Sequence, residues 1–521
     1  LFFTEEGALI MLVKIILLLL FFGCMIAVGL YARKSANSMT DFVLGGRSVG
    51  PWLSAFAYGT SYFSAVVFVG YAGQFGWKYG LASTWIGLGN AVIGSLLAWV
   101  AMGRRTRVMT HHLEVATMPD FFGRRYDSNV IKIVASAIAF VFMIPYTASV
   151  YNGLSRLFGM AFDIPYTVCV ITMAVLTGVY VILGGYMATA INDFIQGIIM
   201  LFGIVAVIGA VLSGQGGFIE AVRKLSELPS DVPVTLGQQG AFASFFGTDP
   251  LNLLGVIILT SLGTWGLPQM VHKFYAIKSE KAIKTGTIVS TFFAVIVSGG
   301  CYFLGGFGRL FDSPALYKAD GSVMYDAIVP SMLSTLPDIL IGVVIILVLS
   351  ASMSTLSSLV LTSASTLTLD FIKGNIVKDM DDKKQLIYIR VLIVFFIVVS
   401  VVLALNPPTF IAQLMGISWG ALAGAFLAPF LYGLYWKGVT RAGVWASFIC
   451  GVGITVSNMF LKFISSPINA GAAAMIVGLV VTPVVSLVTP KLDSGLLTRI
   501  FKCYDNTAKV SSKEYLKEED A

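Results

Sequence analysis

The sequence predicts an all-α membrane protein that crosses the bilayer about thirteen times. The chain has 521 residues, of which 57% are hydrophobic and only 12% are charged. Soluble globular domains carry about 25% charged residues. Mean hydropathy is +0.86, and apolar runs of about 20 residues, the length that a helix needs to cross the hydrocarbon, recur along the whole chain.

Thirteen apolar segments are each long enough to cross about 30 Å of hydrocarbon at 1.5 Å per residue. We expect residues 1–489 to form a single transmembrane domain and residues 490–521 to form a cytoplasmic tail. Two long outer loops, about 214–248 and 308–336, each have room for a short surface helix. In chain order the predicted spans are 9–31, 51–73, 80–102, 130–158, 165–185, 191–213, 249–271, 286–307, 337–370, 389–405, 409–434, 442–463 and 470–489.

The distribution of basic residues predicts the orientation of these spans. The loops after odd-numbered spans, taken together with the tail, collect 26 of the 34 Lys and Arg residues, Lys273 among them. Positive charge accumulates on the cytoplasmic side. We therefore expect the N-terminus outside the cell membrane and the C-terminus in the cytoplasm.

Charge, cysteines and histidines give no sign of a nucleic-acid, disulfide or metal-cluster site. The net charge of +7 resides mainly in short loops between spans, where membrane orientation explains it better than nucleic acid. The five cysteines follow no disulfide or metal spacing. His111, His112 and His272 are predicted in or near polar loops.

Two spans, the second and the seventh, contain helix-breaking residues at membrane depth. Gly59 is followed by a polar run in span two, and "TSLGTWGLPQM" brings two glycines and Pro268 into span seven. Interrupted helices in corresponding positions of two halves indicate a transporter's binding site. The five-span spacing predicts inverted repeats at about 51–213 and 249–434. A packing kink in each helix is the alternative.

Span nine carries an unusual number of hydroxyl groups. Eleven of the nineteen residues from Ser350 to Thr368 are Ser or Thr. On a helix, Ser354, Thr355, Ser357 and Ser358 share one face, which can offer oxygen ligands to a cation beside a broken helix. Helix packing through back-bonded hydroxyls is the alternative.

One acidic residue lies well inside the predicted membrane region. Asp193, in "GGYMATAINDFIQG", falls near the inner end of span six. Intramembrane acids are functional candidates by default, so we interpret Asp193 as a cation ligand or a coupling residue. The alternative is an N-terminal cap of span six. Asp338 reads as a boundary residue at the outer end of span nine.

Three stretches resemble the sodium:solute symporter family: "DFVLGGRSVGPWLSAFAYGTSYFS", "YVILGGYMATAINDFIQG" and "SASMSTLSS". The sodium/proline and sodium/pantothenate symporters are the most similar members. The resemblance implies the leucine-transporter fold and Na⁺-driven uptake, with Na⁺ as the coupling ion and no other cofactor. One position departs, because proline symporters carry an aspartate where this chain has Tyr62.

The resemblance also implies site residues. The family's conserved sodium site corresponds to the carbonyls of Thr60, Phe63 and Ala351 and the side chains of Ser354 and Thr355. A second sodium site corresponds to Asp193, Ser357 and Ser358. The substrate pocket corresponds to Ser61, Tyr62, Ser64, Tyr146, Trp265 and Gln269.

Together these features predict a Na⁺-coupled symporter for a small organic solute, such as an amino acid or a carboxylate, in the cell membrane. We expect no enzymatic activity and no obligate protein partner, and we interpret "GISWG" as a helix-packing face around Gly416, Gly420 and Gly424 rather than a nucleophile elbow. A proton-coupled carrier, with Asp193 as the protonation site, is the first alternative. A membrane sensor or channel is the second; no output domain or pore loop is evident for either.

Overall fold

The computed structural model describes residues 5–162, 165–373, 375–377, 379–406 and 411–507, and this part of the chain contains helices and no strand. Wider helical turns at Val66–Tyr71, Asn90–Leu97, Trp99–Gly103 and Leu367–Ile372 join neighbouring α-helices. The α-helices are Glu5–Ala32, Met39–Leu44, Pro51–Tyr62, Ala72–Tyr79, Thr84–Gly89, Arg104–His112, Met118–Tyr126, Asn129–Phe162, Tyr166–Gly214, Phe218–Glu227, Pro250–Leu262, Pro268–Tyr275, Glu280–Gly305, Tyr325–Ser334, Asp338–Thr366, Asp382–Leu405, Ile411–Tyr435, Arg441–Leu461, Pro467–Val488 and Ser494–Thr507.

The helices that could cross a membrane are compatible with the predicted count of about thirteen. Among the described residues, ten continuous helices are long and apolar enough to cross a membrane, and one bent pair makes eleven. Two of the ten are longer than one membrane crossing requires: Val66–His112 has 47 residues and Tyr166–Gly214 has 49. Each is interrupted at a glycine with positive φ, Gly80 at 60° and Gly185 at 53°. Dividing them there adds two crossings.

The predicted break in span two lies four residues beyond Gly59. The first half, Pro51–Tyr62, is helical through Gly59 and ends at Phe63, whose φ of −105° and ψ of 123° are extended. The interpretation of Gly59 as the breaking residue is therefore wrong. A Cβ atom at Gly59 would lie 2.6 Å from Cδ1 of Phe293 in span eight, so this glycine permits close packing between two helices.

The predicted break in span seven lies at Pro268, as expected. Leu267 is extended, with φ −86° and ψ 120°, because a residue that precedes proline avoids the helical region. The segments on either side, Pro250–Gly266 and Pro268–Tyr275, are inclined by 45° to each other. The two half-helices therefore meet inside the bundle.

Span nine, from Asp338 to Ile372, lies at the centre of the bundle. It packs against spans four, five, six and ten and against the first half of span two, and every residue from Leu347 to Thr366 is buried. At the start of span nine, Asp338 accepts a bond from Nζ of Lys14 at 3.0 Å. The start of span one and the start of span nine therefore lie at the same face of the membrane.

Two further expectations about packing and loops are confirmed. The long loops hold the surface helices Phe218–Glu227 and Tyr325–Ser334. Gly420 and Gly424 of span eleven approach the backbone of spans twelve and thirteen closely, since a Cβ at Gly420 would lie 2.7 Å from Cα of Gly471. The "GISWG" segment is thus a packing face, as interpreted.

Candidate functional site

The break in span two and the hydroxyl face of span nine meet inside the bundle. Oγ of Ser354 lies 3.1 Å from the carbonyl oxygen of Thr60 and 3.1 Å from that of Ala351. Oγ1 of Thr355 lies 3.3 Å from the carbonyl oxygen of Phe63 and 3.2 Å from that of Ala351. Five oxygen atoms, all of them predicted ligands, therefore converge from two helices.

The chemistry of this oxygen cluster suits a monovalent cation. Ser354, Thr355 and Thr60 are fully buried, and the five oxygen atoms belong to neutral groups. The carbonyl oxygens around Thr60 are at the C-terminal end of the half-helix Pro51–Tyr62, where the helix dipole concentrates partial negative charge. Hard cations prefer such oxygen ligands, and broken helices in transporters present them in this way.

The residues predicted for a second cation meet a lysine. Nζ of Lys273 lies 3.5 Å from Oδ2 of Asp193 and 2.9 Å from Oγ of Ser358. Ser357 donates instead to the carbonyl oxygen of Ser354 in its own helix, at 3.0 Å. Asp193 and Ser358 are therefore brought together, with an ammonium group between them.

Lys273 and His272 correct two expectations from the sequence. The sequence predicts Lys273 in a cytoplasmic loop and His272 in or near a polar loop. Both lie in the half-helix Pro268–Tyr275 and are buried, with 2% and 4% of their surface exposed. The apolar run stops before them in the sequence, so hydropathy alone cannot place them inside the protein.

The predicted substrate residues surround the two breaks. Tyr62 donates to the carbonyl oxygen of Thr260, and its ring stacks on Trp419 with centroids 6.1 Å apart. Tyr146 contacts the other side of this cluster, edge-on to Trp419 at 5.8 Å. Trp265 donates to the carbonyl oxygen of Ile93 at 2.9 Å.

The other predicted pocket residues differ in how their polar atoms are satisfied. Ser61 and Ser358 share a hydrogen bond of 2.9 Å, and Ser64 accepts one from the amide of Val66 at 3.2 Å. Gln269 is 1% exposed, and neither its amide oxygen nor its amide nitrogen has a hydrogen-bond partner among the described residues. Buried polar groups nearly always have partners, so a solute bonded to Gln269 would satisfy an amide that the described residues leave unpaired.

Trp419, which contacts the rings of Tyr62 and Tyr146, is not among the pocket residues predicted from the sequence. Trp419 belongs to the "GISWG" segment of span eleven, where the glycines drew attention to packing. Its ring lies 2.8 Å from the place that a Cβ on Gly263 would take, so it covers the 3₁₀ turn Gly263–Gly266 in span seven. A tryptophan among small residues is the only signal in the sequence that could have indicated it.

The architecture of the bundle defines the class of protein. A solved Na⁺-coupled sialic acid symporter, in a substrate-bound outward-open state, superposes with a TM-score of 0.76 over 92% of this chain and 98% of that chain, at 16% identity. A solved transporter of the nucleobase-cation-symport-1 family superposes with a TM-score of 0.52 over 89% and 98%, at 13% identity. The fold is that of the leucine-transporter type of secondary active transporter.

Sequence similarity identifies the family within this class. The model of the sodium:solute symporter family matches residues 42–451. Sodium/proline symporters of Staphylococcus aureus, strains JH9 and NCTC 8325 / PS 47, are each 30% identical over 502 residues, which is 92% of both chains. The chain therefore belongs to the sodium:solute symporter family. It is a multi-pass membrane protein that performs Na⁺-coupled solute symport.

Proposed function

We propose that the coupling Na⁺ binds where the break in span two meets span nine, held by Thr60, Phe63, Ala351, Ser354 and Thr355. The observation that carries this proposal is the convergence of their five oxygen atoms, with hydroxyl-to-carbonyl distances of 3.1–3.3 Å. In the structure the two hydroxyls donate to the carbonyls. A bound cation takes the oxygen lone pairs instead, and the hydroxyl hydrogens rotate away.

The solute pocket lies beside this ion, between the breaks of spans two and seven. Tyr62, Tyr146 and Trp419 supply aromatic surface, and Gln269 supplies an unpaired amide. The second halves of the broken spans begin at Val66 and Pro268, and helix N-termini attract carboxylates. These features suit a small amphipathic solute with a carboxylate, such as an amino acid or a pantothenate-like acid.

The relatives' names and one substitution bear on which carboxylate the pocket takes. Relatives that cover the same length are named sodium/proline symporters. The position at which proline symporters carry an aspartate is Tyr62 here, and its hydroxyl is already bonded to Thr260. A solute with more apolar surface than proline fits this aromatic wall better.

Transport follows alternating access, with repeats at about 51–213 and 249–434 rocking against each other. Five of the six predicted pocket residues are at most 1% exposed and Trp265 is 8% exposed, so a solute reaches them only when helices move apart. Na⁺ stabilises the outward-open state by joining span nine to span two. The membrane potential contributes about 2.3 kcal/mol per charge per 100 mV. We place the protein in the cell membrane with its N-terminus outside.

The experiment has two stages. Purified protein is first screened by thermal shift against amino acids and carboxylates with Na⁺ or choline, since a ligand of the folded state raises Tm. The solute selected is then measured for uptake into proteoliposomes under an inward Na⁺ gradient. Uptake that requires Na⁺ supports the proposal. Uptake that follows a pH gradient without Na⁺ contradicts it and favours the proton-coupled alternative through Asp193.

A further inference from the structure

Lys273 stands where a second coupling ion would bind. Its ammonium nitrogen lies 2.9 Å from Oγ of Ser358, 3.5 Å from Oδ2 of Asp193 and 5.2 Å from the centroid of the Tyr186 ring. These contacts come from spans nine and six and from the Gly185 bend. An ammonium group has three N–H donors, and a hydroxyl, a carboxylate and an aromatic face accept them.

Because Lys273 and Asp193 are buried, their charges must compensate each other. Lys273 is 2% exposed and Asp193 is 0% exposed, so water does not screen either charge. The ammonium neutralises the carboxylate, and a Na⁺ ion on Asp193 would have to share that carboxylate with the ammonium nitrogen 3.5 Å away. Two cations of this kind repel each other strongly in a medium of low dielectric constant. Asp193 can therefore hold the lysine or a sodium ion, and the described geometry has the lysine.

We propose that the Lys273 ammonium takes the place of a second sodium ion, so that this carrier moves one Na⁺ with each solute. The inference rests on the proposed Na⁺ site at Ser354 and Thr355. It adds that the Asp193 site is closed to free cations by a side chain of the protein itself.

The lysine is connected to the proposed sodium site through two serines. Ser358, which accepts from Lys273, shares a hydrogen bond of 2.9 Å with Ser61. The carbonyl oxygen of Ser61 lies 3.4 Å from Oγ1 of Thr355. The ammonium group therefore joins the half-helix Pro268–Tyr275 to spans two, six and nine, and it stays in place because it belongs to the protein. A transported ion at the same place would make this connection only while bound.

The number of Na⁺ ions per solute tests this inference. It is measured in proteoliposomes as the balance between the Na⁺ gradient and the solute gradient at which net flux stops. We expect one in the native protein. Lys273→Met keeps a long unbranched side chain and removes the charge, which frees Asp193, and we expect this variant to move two. The matched control is the double variant Lys273→Met with Asp193→Asn, which we expect to return to one.

Three results would overturn the inference: a native ratio of two, a folded Lys273→Met variant that still moves one Na⁺, or a double variant that moves two. If Lys273→Met does not fold, the native ratio alone decides between one ion and two. A native protein whose uptake needs no Na⁺ refutes the proposed function instead, so the two failures are distinguishable.

Discussion

At the scale of the residue, the buried hydroxyls of span nine divide into two groups. Ser354 and Thr355 face the break of span two and contact its carbonyls. Ser350 and Ser352 are fully buried, and their hydroxyls have no partner among the described residues. Small side chains such as these let the central helix pack closely, and the ion site at Ser354 and Thr355 stays a prediction.

Gln269 gives the sharpest prediction about the solute pocket. Gln269→Leu removes the unpaired amide and keeps a similar volume. We expect KM for the solute to rise by about tenfold, the equivalent of about 1.4 kcal/mol. Because a buried polar group without a partner costs stability, we expect Tm without solute to stay the same or rise. Transport assays and thermal melts on one preparation test both. A variant with native KM, or with a strongly lowered Tm, would give Gln269 a structural role.

At the scale of the element, the position of the break could be predicted for span seven but not for span two. The break in span seven can be predicted from Pro268, because proline constrains the backbone of the residue before it. Nothing in "GTSYFSAV" marks Phe63 as extended, since the break there depends on contacts with span nine that lie about 290 residues away in the sequence. The role of Gly59 is equally hidden in the sequence, because it depends on Phe293, which only the fold brings near.

The contact between Gly59 and Phe293 predicts a specific rescue. Gly59→Ala places a Cβ atom 2.6 Å from the Phe293 ring, which forces spans two and eight apart, so we expect the yield of folded protein and the transport rate to fall. Phe293→Leu in the same chain should restore part of both. Gly209→Ala is the control, since no atom lies within 4 Å of its Cβ position. If Phe293→Leu does not restore folding or transport, the clash with Phe293 is not the cause of the Gly59→Ala defect.

At the scale of the whole molecule, the topology was the easiest property to predict from the sequence. The location of the buried charged side chains was the hardest. Thirteen crossings follow from hydropathy, which is a local quantity. The pairing of Lys273 with Asp193 and of Lys14 with Asp338 is not local, and a lysine at the end of an apolar run resembles any cytoplasmic anchor. The inverted repeats and the orientation stay predictions. The bond between Lys14 and Asp338 does require that spans one and nine begin at the same face.

Cysteine labelling tests the orientation of the whole molecule. In a background without the five native cysteines, single cysteines replace Asp320, in the loop before span nine, and Lys383, at the start of span ten; both native residues are exposed. We expect a membrane-impermeant maleimide to label intact cells at Asp320→Cys only, and Lys383→Cys after permeabilisation. The reverse labelling pattern would show that the protein has the opposite orientation in the membrane.

Binding of ²²Na⁺ to the purified protein tests the proposed sodium site directly. We expect Ser354 and Thr355 to hold the coupling ion against the carbonyls of span two. Each hydroxyl bonded to a charged group contributes about 1.5–3 kcal/mol, so the double variant Ser354→Ala with Thr355→Ala should lose nearly all binding. Ser352→Ala, the same change two residues from Ser354, should bind like the native protein. If the double variant is folded and binds ²²Na⁺ with native affinity, the ion does not bind at this site and the claim is wrong.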